Sequence, residues 1–185
     1  NIGEYKNRDQ YLAESVAQVD RVAAMVNDVL RSGSVAEQAL RQEKQLRVDK
    51  LITEVVADYT LLAKTRGMTF AVNTQPVTIN ANRDMMRHII SNLVSNAVRH
   101  GNAGSVIKIA CDQHELAIEN ACKPLTTQQL QHAFDPFYRN PSDKKQHADS
   151  SGIGLYTVKM LLDTKGLDYS FVPHGQGMRF VVKLA

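Results

Sequence analysis

Residues 82–101, NRDMMRHIISNLVSNAVRHG, decide the fold of this chain. Their pattern predicts one helix of about five turns, which begins near Asn82 and ends at the break formed by Gly101 and Asn102. Apolar side chains recur at helical spacing and predict a broad buried face, made of Met86, Ile89, Ile90, Leu93, Val94 and Ala97. We therefore take this helix as the element around which the rest of the chain is organised.

A line of polar side chains runs along the flank of that apolar face. Asn92, Asn96 and Arg99 lie at positions i, i+4 and i+7. Asparagine is a mediocre helix former, so helix propensity does not account for two of them. Amide oxygens beside a cation suit a magnesium ion and its phosphates, because magnesium takes oxygen ligands and keeps several waters. The alternative is that both amides only bond neighbouring loops, and this helix alone leaves both interpretations open.

The composition bounds the class of protein. With 185 residues, 43% of them hydrophobic and no Trp, the chain has the composition of a soluble α/β domain plus a short extra element. A net charge of +3, spread along the chain, gives no reason to propose nucleic acid as a partner. No apolar run approaches membrane-spanning length, and nothing resembles a signal peptide. Cys111 and Cys122 have neither zinc spacing nor a disulfide framework, which suits a reducing cytoplasm. The first residue is Asn rather than Met, so we expect a piece of a longer protein.

Residues 9–40 predict a long helix with a regular apolar seam. The seam follows 4-3-4-3-4 spacing through Leu12, Val16, Val19, Ala23, Val26 and Leu30. One helix cannot bury such a seam, so we expect a partner helix or a second copy of the chain. The alternative is an amphipathic helix that lies across its own domain.

The remaining pattern alternates strands with helices. We expect a strand at 45–48 and a helix at 49–66, with Asp49 as its N-cap and with Leu51, Ile52, Val55, Val56, Tyr59, Leu62 and Ala63 on its buried face. Strands at 68–73 and 77–81 flank a turn, and 105–112 and 114–120 predict an antiparallel pair. A short helix at 127–134, a helix at 154–165 and strands at 169–172 and 178–184 complete the pattern. The polar stretch 135–152 predicts a functional lid or a disordered loop.

The run SSGIGL at residues 150–155 opens a helix directly after that polar stretch. Small residues there let backbone N–H groups approach an anion, and the helix N-terminus adds a partial positive charge. A GxG before a helix is a weak signal alone, because glycines also serve ordinary turns. Together with the helix that carries two Asn and one Arg, it predicts a phosphate site facing a magnesium site.

Four motifs now carry a family resemblance. NLVSNA at 92–97, FDPFYR at 134–139, GIGL at 152–155 and GQGMRF at 175–180 match the N box, the F box and two glycine boxes of sensor histidine kinases. Residues 45–185 therefore resemble the catalytic, ATP-binding domain of these kinases, in the superfamily that includes gyrase, Hsp90 and MutL. Residues 1–44 resemble the second helix and linker of their dimerisation and phosphotransfer domain. The expected fold is a two-layer α/β sandwich, a mixed sheet covered on one face by helices and preceded by a dimerising helix.

The resemblance implies roles for particular residues. Asn96 would coordinate Mg²⁺, and Asn92 would help at the phosphates of ATP. Arg99 would be the basic phosphate contact, His100 would lie against the adenine, and Arg139 would reach the γ-phosphate. The glycine-box segment, Ser151, Gly152, Ile153, Gly154 and Leu155, would hold the β- and γ-phosphates through its amides. Phe134, Pro136 and Phe137 are expected to form a hydrophobic hinge that anchors the lid.

The loop at the adenine departs from the family pattern. The family has Asp-x-Gly-x-Gly where this chain has NACKPL at residues 120–125. The carbonyl of Asn120 can still accept a hydrogen bond from the adenine amino group, though without the added strength of a carboxylate. Cys122 and Pro124 replace the glycines and restrict the dihedral angles of the loop. We interpret the departure as a subfamily variant, similar to vancomycin-resistance-type sensors of Gram-positive bacteria.

The implied function is ATP-dependent phosphorylation of a histidine, followed by transfer to an aspartate of a response regulator. The implied setting is a cytoplasmic domain of a membrane-anchored, homodimeric sensor. No phosphoacceptor is visible, because His114 opens a strand within a hairpin and lacks the Thr-Pro that should follow. One alternative is a degenerate kinase that acts as a scaffold or controls a phosphatase. The other is an ATPase of the gyrase type, which uses a glutamate near the N box, whereas residues 83–101 contain no Glu.

Overall fold

The computed structural model describes Leu12, Val16, residues 43–139 and residues 151–184. The predicted helix at 9–40 therefore lies outside the described residues, apart from Leu12 and Val16. Both are helical and more than half exposed. Pairing of the seam with a partner helix stays a prediction.

Strands and helices alternate along the described chain. In order they are β1 (Lys44–Arg47), α1 (Val48–Thr65), β2 (Thr69–Thr74), β3 (Thr78–Ala81), α2 (Arg83–His100), β4 (Val106–Cys111), β5 (Glu115–Ala121), α3 (Thr127–His132), α4 (Gly154–Lys165), β6 (Tyr169–His174) and β7 (Gly177–Lys183). A five-stranded sheet has the order β2-β4-β5-β7-β6, and β1 pairs with β3 in a small second sheet. Because β2 runs parallel to β4 while the other neighbours are antiparallel, the predicted mixed sheet is confirmed. None of the helices described here is both long and apolar enough to cross a membrane.

Helices cover one face of the five-stranded sheet. Along β4, Ile107, Ile109 and Cys111 are buried while the alternate positions are exposed, which is the period of two expected of a half-covered strand. The opposite face carries charged side chains, such as Glu115, which accepts hydrogen bonds from Arg179 at 2.8 Å and from Lys183 at 2.6 Å. The predicted two-layer sandwich is therefore confirmed.

Helix α2 has the predicted limits and the predicted buried face. The side chain of Asn82 caps it, accepting from the backbone N–H of Met85 at 3.1 Å. All six apolar residues of the predicted face are buried, and Met85 and Val98 widen that face. The helix ends where the N–H of Gly101 donates to the carbonyl of Ala97 at 2.9 Å. A Cβ at Gly101 would lie 2.6 Å from that carbonyl oxygen, so only glycine fits this ending.

Two predictions about α1 are wrong. Arg47 occupies the N-cap position, whereas Asp49 lies in the first turn of the helix. Leu62 is 42% exposed. The buried face of α1 continues through Ala63, and adjacent residues of a helix are about 100° apart, so Leu62 points away from that face. The two strands that flank residues 75–76 belong to different sheets, because β2 is part of the five-stranded sheet and β3 is part of the two-stranded one.

Asp49 stabilises the start of α1 through hydrogen bonds and an ion pair. It accepts hydrogen bonds from Arg47, at 2.8 Å from Nε and 2.6 Å from Nη2, and from the N–H of Val77 at 3.3 Å. The hydrogen bond from Arg47 is the main reason that the pKa of Asp49 is lowered from 3.8 to about 2. The carboxylate therefore stabilises the fold above pH 3.8, and that contribution is lost as the pH falls towards 2.

We expect Asp49→Asn to lower the free energy of unfolding at neutral pH by about 1 kcal/mol, since Arg47 is partly exposed to solvent. The deficit relative to wild type should shrink as the pH falls from 3.8 through about 2, because wild-type Asp49 becomes protonated over this range. Urea titrations across this pH range measure the difference. Asp58→Asn, which removes an exposed partner of Arg87, is the control and should cost less. A deficit that persists at low pH would contradict the electrostatic explanation.

Candidate functional site

Asn92, the first residue of the polar line on α2, lies against the start of α4. The side-chain amide of Asn92 donates from Nδ2 to the carbonyl oxygen of His88 at 3.0 Å. A Cβ at Gly154 would lie 3.2 Å from Oδ1 of Asn92. Glycine at position 154 therefore lets the start of α4 approach the helix that carries both asparagines.

The start of α4 presents backbone donors. Gly152 has φ of +72°, a left-handed conformation that glycine adopts without strain. Ile153 is the N-cap residue, and its aliphatic side chain cannot accept the hydrogen bonds that a polar N-cap accepts. The first N–H groups of an α-helix have no partner within the helix, and the aligned peptide dipoles make this end positive. One donor of the segment is already used, because the N–H of Ile153 donates to Oγ of Ser151 at 3.4 Å. The other N–H groups of this first turn are the kind of donor that an anion needs.

The segment FDPFYR packs directly against Gly152. The N–H of Phe137 donates to the carbonyl of Gly152 at 3.1 Å, and a Cβ at Gly152 would lie 2.9 Å from the carbonyl oxygen of Tyr138. Phe134 anchors the segment in the core, with its ring centroid 5.6 Å from that of Tyr169. Phe137 does not, because its φ of +64° turns the residue outward and leaves it 56% exposed. Of the three residues predicted to anchor the lid, Phe134 therefore packs against the core, whereas Pro136 and Phe137 are exposed.

The end of β5 forms the opposite wall of the site. Asn120 pairs with Met178 of β7, and the N–H of Cys122 donates to the carbonyl of Gln176 at 3.2 Å. A Cβ at Gly177 would lie 2.1 Å from the carbonyl oxygen of Asn120. The backbones of β5 and β7 therefore meet at this point with no room for a side chain at position 177.

A cavity of about 480 Å³ lies between α2 and this wall. Five of the predicted site residues line it, namely Asn96, His100, Asn120, Cys122 and Leu155. Its lining does not include Asn92, Arg99, Arg139, Ser151, Gly152, Ile153 or Gly154. Of this second group, Gly154 contacts Asn92 beside the cavity, and Arg139 precedes residues 140–150, which are outside the described chain. The cavity has the size of a small-molecule site.

Several lining residues were not predicted. They include Arg66, Asn102, Thr126, Gln129, Tyr138 and Met178. Thr126 and Gln129 form a capping box at the start of α3, a signature that the sequence displays as Thr-x-x-Gln. Tyr138 belongs to the FDPFYR motif. Arg66 left no local signal, because its contacts are to residues 32 to 35 positions away.

The charge of the cavity favours an anion. Its described lining contains the cations Arg66 and Lys123 and no Asp or Glu. No group of three His, Cys, Asp or Glu that could hold a metal occurs among residues 43–139 and 151–184. The donor set nevertheless fits a hard cation that arrives with a phosphate ligand, because one amide oxygen such as that of Asn96 suffices beside phosphate and water oxygens.

The two cysteines differ in accessibility. Cys111 is buried on β4, and that burial raises its pKa to about 12. Cys122 is half-buried in the wall of the cavity, and the two form no disulfide. Reagents that need a thiolate should therefore distinguish them.

Comparison with known proteins places these observations in a family. Residues 81–185 match the family described as "Histidine kinase-, DNA gyrase B-, and HSP90-like ATPase". The chain is 32% identical to the sensor histidine protein kinase HK06 of Streptococcus pneumoniae over 187 aligned residues, covering all of this chain and 41% of that protein. It is 24% identical to the sensor protein VanSB of Enterococcus faecalis over 190, covering 100% of this chain and 42% of that protein. The chain thus spans about two fifths of these relatives.

Solved structures share the fold. The histidine kinase ThkA, in complex with the response regulator protein TrrA, matches with a TM-score of 0.69 at 16% identity, covering 100% of this chain and 52% of that one. At this identity the likeness supports the arrangement of helices and strands and no more.

Proposed function

Because the chain belongs to the family of histidine kinase-, DNA gyrase B- and HSP90-like ATPases, we propose that it is the catalytic, ATP-binding part of a sensor histidine kinase. One observation carries the proposal. Asn96 of α2, Asn120 of β5 and Leu155 of α4 line a single cavity, although they are far apart in the sequence. These elements carry the N box, the adenine loop and a glycine box, in the order of the family motifs.

The phosphates would lie between α2 and the start of α4. The amides of Gly152, Gly154 and Leu155 would donate to the β- and γ-phosphates. Arg99, and Arg139 with its planar guanidinium, would add positive charge. Ser151 and Ile153 belong to the same segment and would help to shape its backbone. Asn92 would support this arrangement through its approach to Gly154.

Asn96 would hold Mg²⁺ through its amide oxygen. When bound, the ion would neutralise charge on the phosphates of ATP. The chain's own part in phosphoryl transfer is then positioning and electrostatic stabilisation, since this reaction needs little covalent chemistry from the protein.

The base would lie at the end of β5. Asn120 would accept a hydrogen bond from the adenine amino group, His100 would pack against the ring, and Cys122 would lie at the rim. All three line the cavity, which supports this placement.

The acceptor histidine would lie outside these 185 residues, on the first helix of the dimerisation domain, and a response-regulator aspartate would receive the phosphoryl group. The solved complex of ThkA with TrrA supports a partner of that kind. Residues 1–44 would contribute the second helix of a homodimer, and residues 45–185 the catalytic domain. The whole would be the cytoplasmic part of a membrane-anchored sensor.

The two alternative functions are a gyrase-type ATPase and a degenerate kinase. A gyrase-type ATPase needs a general base, and no Asp or Glu lines the described part of the cavity. A degenerate kinase that no longer uses nucleotide is favoured by one observation, the replacement of Asp-x-Gly-x-Gly by NACKP at 120–124.

A calorimetric titration of the 185-residue chain with ADP, with and without Mg²⁺, tests the proposal. We expect binding that depends on Mg²⁺, and no acid-labile label on the protein after incubation with γ-labelled ATP. Absence of nucleotide binding would favour the degenerate kinase. Acid-labile label would place an acceptor histidine within this chain.

Asn120→Asp is expected to tighten ADP binding about fivefold, because a charge-assisted hydrogen bond exceeds a neutral one by about 1 kcal/mol. Discrimination against GDP should also sharpen, since a carboxylate cannot donate to the 6-oxo group as a flipped amide can. Competition binding with ADP and GDP measures both effects. Asn73→Asp, on the exposed strand β2, is the matched control for the added charge. Equal ADP and GDP affinities in both proteins would mean that this loop does not touch the base.

Bound ADP is expected to slow the alkylation of Cys122 by a small maleimide by about tenfold or more, because the thiol lies in the cavity wall. Cys111 should react only after unfolding, since it is buried. Mass spectrometry of timed samples measures both rates. In Cys122→Ser, no alkylation should occur until urea is added. An unchanged rate with ADP at saturation would place the nucleotide away from Cys122.

A further inference from the structure

The side chain of Arg66 closes the carboxyl-terminal end of α2. Its Nη1 donates to the carbonyl oxygens of Val98 and Arg99, and its Nη2 donates to that of Gly101 at 3.0 Å. The last carbonyl groups of a helix have no partner within it, so they need donors from elsewhere. One guanidinium supplies donors to three of the carbonyls at this turn.

The backbone of Arg66 ends a second helix. Its N–H donates to the carbonyl of Ala63 at the end of α1, and its own carbonyl accepts from the N–H of Gly104 at 3.0 Å. The cation thus lies at the carboxyl ends of α1 and α2, where both helix dipoles favour positive charge. It joins the carboxyl ends of two helices whose other polar connections are surface ion pairs, such as that of Arg87 with Asp58 at 2.6 Å.

The turn that Arg66 holds is attached to the opposite wall of the cavity. The N–H of Asn102 donates to the carbonyl of Ala121, at the end of β5, at 2.7 Å. Asn120 and Cys122 flank Ala121, while Arg99 and His100 immediately precede Gly101. Arg66 itself lines the cavity. This turn therefore fixes the position of the phosphate side of the site relative to the base side.

We infer that Arg66 is a positioning residue, which holds the end of α2 in register with the end of β5 so that one nucleotide can contact both. This inference rests on the proposed function. Arg66 lies outside the four motifs, and it would control the distance between the phosphate side and the base side of the site. Lysine cannot replace arginine here, because one ammonium group does not reproduce a planar fork that reaches three carbonyls.

Arg66→Lys, made in the 185-residue chain, is expected to raise the Kd for Mg·ADP about tenfold, because the two contact regions lose their fixed spacing. The control is Val55→Ala, which opens the core under α1 at a residue that does not line the cavity, and so destabilises the fold by another route. Its Kd should stay within about twofold of wild type below its unfolding transition. In Arg66→Lys, hydrogen exchange of the Asn102 amide should accelerate by more than the variant's loss of global stability accounts for. In Val55→Ala, the exchange of this amide should change only as much as the global stability does.

A second variant separates positioning from stability. In Arg66→Ala, millimolar ethylguanidinium should restore part of the lost Mg·ADP affinity, and it should leave wild type unchanged. If wild type fails to bind Mg·ADP, the proposed function is wrong. If wild type binds and Arg66→Lys binds equally well, or Arg66→Ala is not rescued, the inference about Arg66 is overturned.

Discussion

Asn96→Ala is expected to weaken Mg²⁺-dependent nucleotide binding about a hundredfold or more, because it removes the amide oxygen that we assign to the metal. Binding measured in EDTA should change little, so the loss should appear as loss of the Mg²⁺-dependent increment. The fold should remain intact, since alanine is the better helix former and Asn96 is only partly buried. Calorimetry with ADP, with and without Mg²⁺, measures the increment.

The control for this substitution is Asn73→Ala, which removes an exposed amide from β2. It should leave both the affinity and its Mg²⁺ dependence unchanged. If Asn96→Ala keeps the full Mg²⁺-dependent increment, the metal must be held elsewhere on the chain.

Gly177→Ala is expected to lower the free energy of unfolding by about 3 kcal/mol or more, because its Cβ would lie 2.1 Å from the carbonyl oxygen of Asn120. The nearest atoms all belong to backbone, which cannot move aside as the end of a flexible side chain can. Any relief must separate the start of β7 from the end of β5. The displaced wall should also weaken ADP binding in whatever protein still folds.

Gly175→Asn is the matched control, two residues earlier in the same turn. Gly175 has φ of +56°, but a Cβ there would meet no atom within 4 Å. Asparagine tolerates the left-handed conformation, so this variant should lose about 1 kcal/mol or less. Chemical denaturation of the two variants measures the difference. Equal losses would mean that backbone conformation, rather than the contact with Asn120, explains the requirement for glycine at 177.

The sequence alone determined the elements whose signals are local. The limits of α2 follow from its capping Asn82, its apolar period and Gly101, all of which act within a few residues. The antiparallel pairing of β4 with β5 follows from a short turn between two alternating segments. The lining of the candidate site was likewise predictable where residue types are fixed by a compact motif, as for Asn96 and Leu155.

Only the tertiary structure decided which of these signals meet. Asn92 approaches Gly154 because α4 packs against α2, and Phe137 turns outward because its neighbours fit against Gly152. Asp49 pairs with Arg47 and the N–H of Val77 instead of capping α1, since β3 brings Val77 to it.

Arg66 shows the physical reason most clearly. Its side chain contacts carbonyl groups 32 to 35 residues away, and carbonyl groups leave no trace in side-chain chemistry. Hydrophobic periodicity and capping express interactions over one to two turns of a helix, so a sequence displays them directly. A contact between a side chain and a distant backbone depends on where the sheet and the helices place both chains, and that placement exists only once the core has packed.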